Sequence, residues 1–317
     1  MIIIGIETSC DDTSIAIIKN GKVLANVTSS STKVHEQYGG IVPELAARKH
    51  CTNIDKVFQH AIKIAKIKPN DIDYVAYTSE PGLIGSLHVG KVFAKQLAAL
   101  LGVKIIQVNH LLAHIFSYFL DHDIKDLKFP FLSVVVSGGH TFIAINYSVN
   151  KYRILNSSID DACGETLDKI GRLLKLPYPG GISIDKIYNS KKVFDLIKHS
   201  IADKEFSFSG LKTAVSNLIN NLRQKKKKID TVGIASSSLK WIIDDLEIKI
   251  KYYLNKYPKT KMILFGGGVS ANSLLRKTFT KWRNTKFLFP TIQYTNDNAA
   301  MVALWAFLLL KYRGKEC

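Results

Sequence analysis

Cysteine is scarce and scattered in this 317-residue chain. The four copies, Cys10, Cys51, Cys163 and Cys317, include no CxxC pair. That excludes both a disulfide framework and a cysteine-built structural zinc site. Long apolar runs are missing too: VFAKQLAALLGV and LWAFLLL are too polar or too short to cross a bilayer. The opening MIIIGIETSC has neither a basic n-region nor a small-residue cleavage site, so it does not read as a signal peptide. A reducing, cytoplasmic setting is the expectation. Acid is also short, 26 Asp and Glu against 44 Lys and Arg, for a net charge of +18. Such an excess fits a polyanionic partner, since clustered cations release counterions when they meet phosphates. It fits compositional drift equally well, because arginine supplies only 7 of the 44 and the chain is rich in Lys, Ile and Asn. The run KKKK at Lys225 to Lys228 is a solvated loop or a contact surface for nucleic acid.

What is present is an ordinary globular balance, 46% apolar and 22% charged, in a chain long enough for two lobes. The N-terminus reads strand, polar turn, strand: IIIGIE, TSCDDT, SIAIIKNGKVLANV, with KNGK a two-residue hairpin signal. Helical periodicity follows from Pro43 to Lys66. Then come a strand (IDYVAYTS), a glycine-rich loop, a helix, and a strand (KIIQVN) running directly into HLLAHIFSYFL. Near residue 130 the opening layout returns as FLSVVV, SGGHT, FIAINY, the trace of an internal duplication. Further helices, one from about Asp230 to Lys256, lead to a buried strand ending in GGGVSAN. Strands alternating with helices mark an α/β architecture.

Three small-residue loops, TSCDDT, SGGHT and GGGVSAN, each follow an apolar strand and could aim backbone N–H groups at an anion. None is a Walker A loop, and none is GxGxxG opening a helix. Two duplicated RNase H-like lobes with a central cleft, each lending a hairpin to phosphate, are the plan of the actin-like ATPase and sugar-kinase superfamily. By that analogy the N-terminal lobe is expected at 1–105 plus about 297–317. The C-terminal lobe is expected at 106–296, with a helical insertion at about 160–255. His110 and His114 in NHLLAH share a helix face at i, i+4. On spacing alone they are either two core imidazoles or half of a metal site.

The motifs GIETSCDDT (5–13), YGGIVPELAAR (38–48), NHLLAH (109–114), VVVSGGHT (134–141), DDACGETLDK (160–169), FSFSGLKTA (206–214), GGGVSAN (266–272) and TNDNAAM (295–301) resemble one family in its order. It is the tRNA N6-adenosine threonylcarbamoyltransferase family, called TsaD in bacteria, a branch of the actin-like superfamily. The resemblance implies transfer of the threonylcarbamoyl group from threonylcarbamoyl-AMP to N6 of the adenosine 3′ of the anticodon, with release of AMP. Its substrates would be tRNAs reading codons that begin with A.

The resemblance further implies that His110, His114 and Asp297 hold one divalent metal, Fe(II) or Zn(II), and that the adenylate, ATP or AMP lies in the cleft. The loop Val135, Val136, Ser137, Gly138 and Gly139 would face phosphate or carbamoyl. Asp168, Gly181, Asp185 and Asn272 would contact the nucleotide, although each also fits a plain role as helix carboxylate, turn or cap. Asp11, Asp12 and His140 are candidates for proton transfer. Implied partners are tRNA, a paralogous TsaB-like subunit, a small TsaE-like ATPase and a separate synthase that makes the adenylate. Departures from the pattern are Asn109 in place of a first histidine, Glu80 before PGL, Ile182 after PGG, and Ala299. A peptidase of the HExxH kind is disfavoured because Leu111 stands where the base would be. Two alternatives remain: a small-molecule kinase of the same fold, and a non-catalytic scaffold of the same pathway.

Overall fold

The structure is a computed structural model that describes residues 1–199, 204–283 and 285–312; Cys317 lies outside them. It divides into two compact units. One holds Met1–Leu127, Ser148–Lys151 and the chain from Pro290; the other holds Lys128–Tyr147 and Tyr152–Phe289.

The first unit opens with β1 (Ile2–Glu7), β2 (Thr13–Lys19) and β3 (Lys22–Ser29). β1 is buried from Ile3 to Glu7, as suits a central strand covered on both faces. Asn20 and Gly21 join β2 to β3 at φ 52° and 83°, the positive pair that a two-residue hairpin turn requires. Next come α1 (Thr32–Glu36), α2 (Pro43–Ala65), β4 (Tyr74–Glu80), α3 (Ile84–Leu101), β5 (Lys104–Asn109) and α4 (His110–Phe116). Proline at the first position starts α2, and Lys66 in the left-handed region stops it. The sheet order is β3-β2-β1-β4-β5, antiparallel through β1 and parallel from β1 to β5. Ile4, Ile6, Ile15 and Ile17 pack against Ile54 and Val57 of α2 and Ala94 and Leu97 of α3.

The second unit repeats this plan. β6 (Phe131–Val136), β7 (Thr141–Asn146) and β8 (Tyr152–Ser157) form the antiparallel half. Helices α5 (Cys163–Leu173), α6 (Gly180–Ile187), α7 (Ser209–Gln224) and α8 (Thr231–Lys256) precede β9 (Met262–Gly266), α9 (Ser273–Phe279) and β10 (Lys286–Leu288). The order β8-β7-β6-β9-β10, with β6, β9 and β10 parallel, matches the first sheet strand for strand. The expected duplication is therefore a duplication of topology.

The chain ends in the first unit with α10 (Ala299–Tyr312), buried on every side from Ala299 to Leu308. It lies on β1 where Gly5 leaves room: a Cβ there would come within 2.3 Å of the Ala299 carbonyl oxygen.

The lobe boundary expected at residue 105 is corrected to Leu127. β5 pairs in parallel with β4, and α4 packs against α10, so both belong to the first unit. The return falls at Pro290 rather than near 297. The helices expected as an insertion at 160–255 share one core with the second sheet, where Leu167, Leu211 and Ile242 pack against Val134 and Ile143.

Candidate metal centre and ligand loops

Three chain segments of the first unit converge at the C-terminal end of its sheet. β5 passes into α4 without a loop, because the Asn109 side chain accepts hydrogen bonds from the N–H groups of Leu111 (3.0 Å) and Leu112 (3.3 Å). Asparagine in place of a first histidine thus caps the helix that carries the other two. The start of α10 is held on the hairpin: Ala299 N donates to Ser14 Oγ (2.9 Å), and Ala300 N to Asn26 Oδ1 (3.3 Å). That docking sets Asp297, two residues upstream, against α4.

His110 and His114 stand one turn apart with ring centroids 4.5 Å from each other. His114 Nε2 lies 3.0 Å, and His110 Nε2 3.6 Å, from the same oxygen, Asp297 Oδ1. Behind His110, the fully buried carboxylate of Glu7 accepts from its Nδ1–H at 3.1 Å. Ser9 N (2.6 Å) and the Thr78 hydroxyl donate to the same carboxylate. Burial would push His110 down, but Glu7 and then Asp297 more than offset it and hold the imidazole up at about 9. Burial likewise favours neutral Glu7, yet His110 beside it keeps the carboxylate below its ordinary value. Burial and the neighbouring His110 both push His114 down, so it is a neutral imidazole at pH 7.

The donor set suits a divalent cation. The three ligand atoms lie within 4.8 Å of one another, two imidazoles and one carboxylate. Glu7 keeps one proton of His110 on Nδ1, so Nε2, which faces Asp297, is the nitrogen that a metal would take in exchange for its proton, the second-shell arrangement typical of histidine ligands. The field that retains a proton on His110 would also stabilise a metal ion. Glu7 went unread in the sequence. Its signal was a lone carboxylate ending an otherwise isoleucine-rich strand, a charge that burial tolerates only with a partner.

Asp11 and Asp12 lie in the loop after β1. Burial and then Asp297 raise the Asp11 carboxyl. Burial brings Asp12 up to about 6, against a hydrogen bond from Ser30, and its Oδ1 is buried without a partner. Cys10 and Cys163 are not thiolates, since burial pushes both up, Cys163 to about 12.

The remaining candidates belong to the second unit. Val135 and Val136 lie inside β6, paired on both sides or at its end, with buried side chains. Ser137 closes the following turn: its N–H donates to the His140 carbonyl (2.8 Å), and its Oγ accepts from His140 N (3.0 Å). Gly138 and Gly139 are the exposed crest. The turn abuts the start of α5, where Gly164 N donates to the Ser137 carbonyl at 3.2 Å. Asp168 on α5 accepts from Gly181 N (3.1 Å) at the start of α6, and burial raises its carboxyl despite that bond. Asp185, one turn along α6 from Gly181, accepts from Ser273 N (2.9 Å) and Oγ (2.8 Å). Asn272 caps α9 through Leu275 N (3.0 Å). Asp168 thus ties the middle of α5 to the start of α6, and Asp185 ties α6 to the start of α9, which Asn272 caps. Helix starts next to a glycine turn make a surface of amide donors suited to phosphate.

Comparison with known proteins shows the family and the fold. The family model for tRNA N6-adenosine threonylcarbamoyltransferase matches residues 22–304. A protein of that name from Ureaplasma parvum serovar 3 is 48% identical over 316 residues, 99% of this chain and 97% of its own. One from Fusobacterium nucleatum is 42% identical over 323 residues, covering 100% and 93%. Among solved structures, HypF from T. kodakarensis superposes with a TM-score of 0.60 at 14% identity, over 98% of this chain and 48% of its own. An activator of 2-hydroxyisocaproyl-CoA dehydratase from Clostridium difficile gives 0.55 at 15% identity, covering 100% and 98%. At those identities the likeness concerns the fold, which is of the actin-like ATPase type.

Proposed function

The chain belongs to the tRNA N6-adenosine threonylcarbamoyltransferase family, and from that premise we propose how its residues carry the reaction. It is a transferase that modifies tRNA. Its donor is threonylcarbamoyl-AMP, and its acceptor is N6 of the adenosine 3′ of the anticodon in tRNAs that read A-starting codons. The amine attacks the carbamoyl carbonyl, the bond from that carbon to the phosphate oxygen breaks, AMP leaves, and N6 gives up a proton. An exocyclic amine is a poor nucleophile, so positioning and charge stabilisation supply most of the rate.

The exposed amides of Gly138 and Gly139, at the crest of the turn, hold the departing phosphate. Asp168, Gly181, Asp185 and Asn272 hold the nucleotide, with the two carboxylates and the amide facing its hydroxyls. His110, His114 and Asp297 hold one Fe(II) or Zn(II) ion, which when bound supplies Lewis acidity toward substrate oxygen. Glu7 orients His110 for that task. Asp12, with its carboxyl near 6, accepts the proton from N6 at neutral pH; Asp11 and His140 are the other candidates for this transfer. A TsaB-like subunit, a TsaE-like ATPase and a separate adenylate synthase complete the system. No helix among the described residues is long and apolar enough to cross a membrane.

The observation that carries the assignment is the convergence of both histidine Nε2 atoms on Asp297 Oδ1. Mass spectrometry of nucleosides tests it, after unmodified tRNA is incubated with threonylcarbamoyl-AMP, metal and partner proteins. Wild type should form threonylcarbamoyladenosine, and His114→Ala should not. Product from both would refute the metal centre while keeping the reaction, and product from neither would refute the reaction.

A further inference from the structure

We propose that the lysine-rich shoulder where α7 ends and α8 begins binds the phosphodiester backbone of the RNA substrate. This inference rests on the reading that the chain modifies tRNA. From Ser209 to Lys228 there is no Asp or Glu, while Arg223 and Lys225 to Lys228 put five cations at the end of α7; Lys212, in its first turn, pairs with Asp161 at 2.8 Å. One or two cations are what a helix C-terminus favours; five exceed that role. Lys225 to Lys228 are all exposed, and among the described residues no carboxylate pairs with them.

The fold then adds two cations from elsewhere in the sequence. Asn189 N donates to Ser236 Oγ and Phe194 N to Ser237 Oγ, both at 2.9 Å. Those bonds lace the turn Ser190–Lys192 onto the first turns of α8, beside the lysine run. Lys191 and Lys192 are exposed there. Of the nearby acids, Asp230 is committed, since it caps α8 through Gly233 N (3.0 Å) and lies 3.6 Å from Lys192. Asp195 is exposed in the same segment.

A neutral stripe leads up to the shoulder. Thr213, Asn217, Asn220 and Gln224 are exposed on α7 at spacings of four, three and four, one face of the helix. Over the eleven steps from Thr213 to Gln224 it runs about 17 Å. Hydroxyl and amide groups of this kind contact phosphate and sugar without reading sequence. Cations gathered at one end of a hydrogen-bonding track fit an RNA backbone better than a small anion, which one or two of them would satisfy.

The test is tRNA binding by the full chain, followed by fluorescence anisotropy across a KCl series. The variants are Lys225 to Lys228 all to Ser, the same four to Arg, and a control with Lys49, Lys56, Lys63 and Lys68 to Ser. The control removes the same charge from the first unit. The Ser variant should lose at least about tenfold in affinity near 0.1 M salt, and its log–log salt slope should flatten by about two to four. The Arg variant and the control should keep both. In the modification assay, KM for tRNA should rise with kcat little changed.

Unchanged affinity and slope in the Ser variant would overturn the proposal, as would an equal loss in the control. Intact tRNA binding with lost binding to phosphatidylserine vesicles would overturn it in favour of a membrane surface. Wild type that binds tRNA through the shoulder yet forms no threonylcarbamoyladenosine would support the surface and refute the activity.

Discussion

β1 and β6 hold the same place in two sheets of the same topology, and each ends where its hairpin turns. β1 ends in Glu7, paired in register with Ser14; β6 ends in Val136, paired with Thr141. After Glu7 come hydroxyls and two aspartates, and after Val136 a four-residue turn with two exposed glycines. One hairpin end thus gathers protons, carboxylates and imidazoles, whereas the other offers backbone amides. Duplication supplied a common frame, and the residues at the strand ends diverged into separate chemistry. The hydrophobic interior of each sheet can be similar because packing alone decides it. The strand ends differ because each must satisfy its own neighbours.

Exchanging the two strand ends is the most severe way to break that comparison. Val136→Glu would bury a carboxylate in the second unit's core, where Ile143 and Leu167 share its cluster. The expected cost is on the order of 3–5 kcal/mol, a large fraction of a typical domain's stability. Chemical denaturation should show it as a large fall in midpoint. A change under about 1 kcal/mol would mean that the second strand end tolerates charge as the first does.

Changing Glu7 sharpens the contrast from the other side with a smaller effect. Glu7→Gln keeps the shape but removes the charge behind His110, and metal affinity should drop about 10–100-fold. Titration with Zn(II) under chelator competition measures it, and unchanged affinity would remove Glu7 from the metal's support.

The pH dependence follows from the same pair. In metal-free protein His110 is raised from its ordinary 6.5 to about 9. Its stabilising charge is therefore fully present below about 6.5 and lost as pH rises through about 9. A metal must displace that proton, so affinity should climb about tenfold per pH unit across the window and level off near 9. In Glu7→Gln the climb should end at lower pH. A wild-type affinity that is flat from pH 6.5 to 9 would show that His110 carries no proton to displace.

Much of this was legible in the chain, and what was not has a physical reason. Strand, turn and helix signals located the long elements, including α8 within one residue of its expected start, because periodicity is local, whereas the short β8, α6, α9 and β10 went unread. The His110–His114 pair was visible as a spacing. Glu7 was not, because 103 residues separate it from His110 and only the pairing of β1, β4 and β5 brings them together. The lobe boundary was misplaced for the same reason, since local pattern does not say which sheet β5 joins. Asp168 and Asn272 show a third limit. The plain reading of Asn272 as a cap holds, and Asp168 reaches across to α6, so both side chains already have a part in the fold that no local pattern separates from ligand binding.

Gly138 gives the smallest change and the finest separation of the two strand ends. A Cβ at this position would meet nothing within 4 Å, so alanine fits the folded protein, with stability expected within about 0.5 kcal/mol of wild type. Folding therefore places no demand on glycine here. If the crest lies open so that phosphate can approach its amides, the added methyl stands in the ligand's way. Gly138→Ala should then raise KM for threonylcarbamoyl-AMP several-fold, while the Zn(II) affinity of the first unit stays unchanged. A KM equal to wild type would leave the glycines as relics of a tight turn. An equal loss of metal affinity would mean that the two strand ends do not act as separate devices.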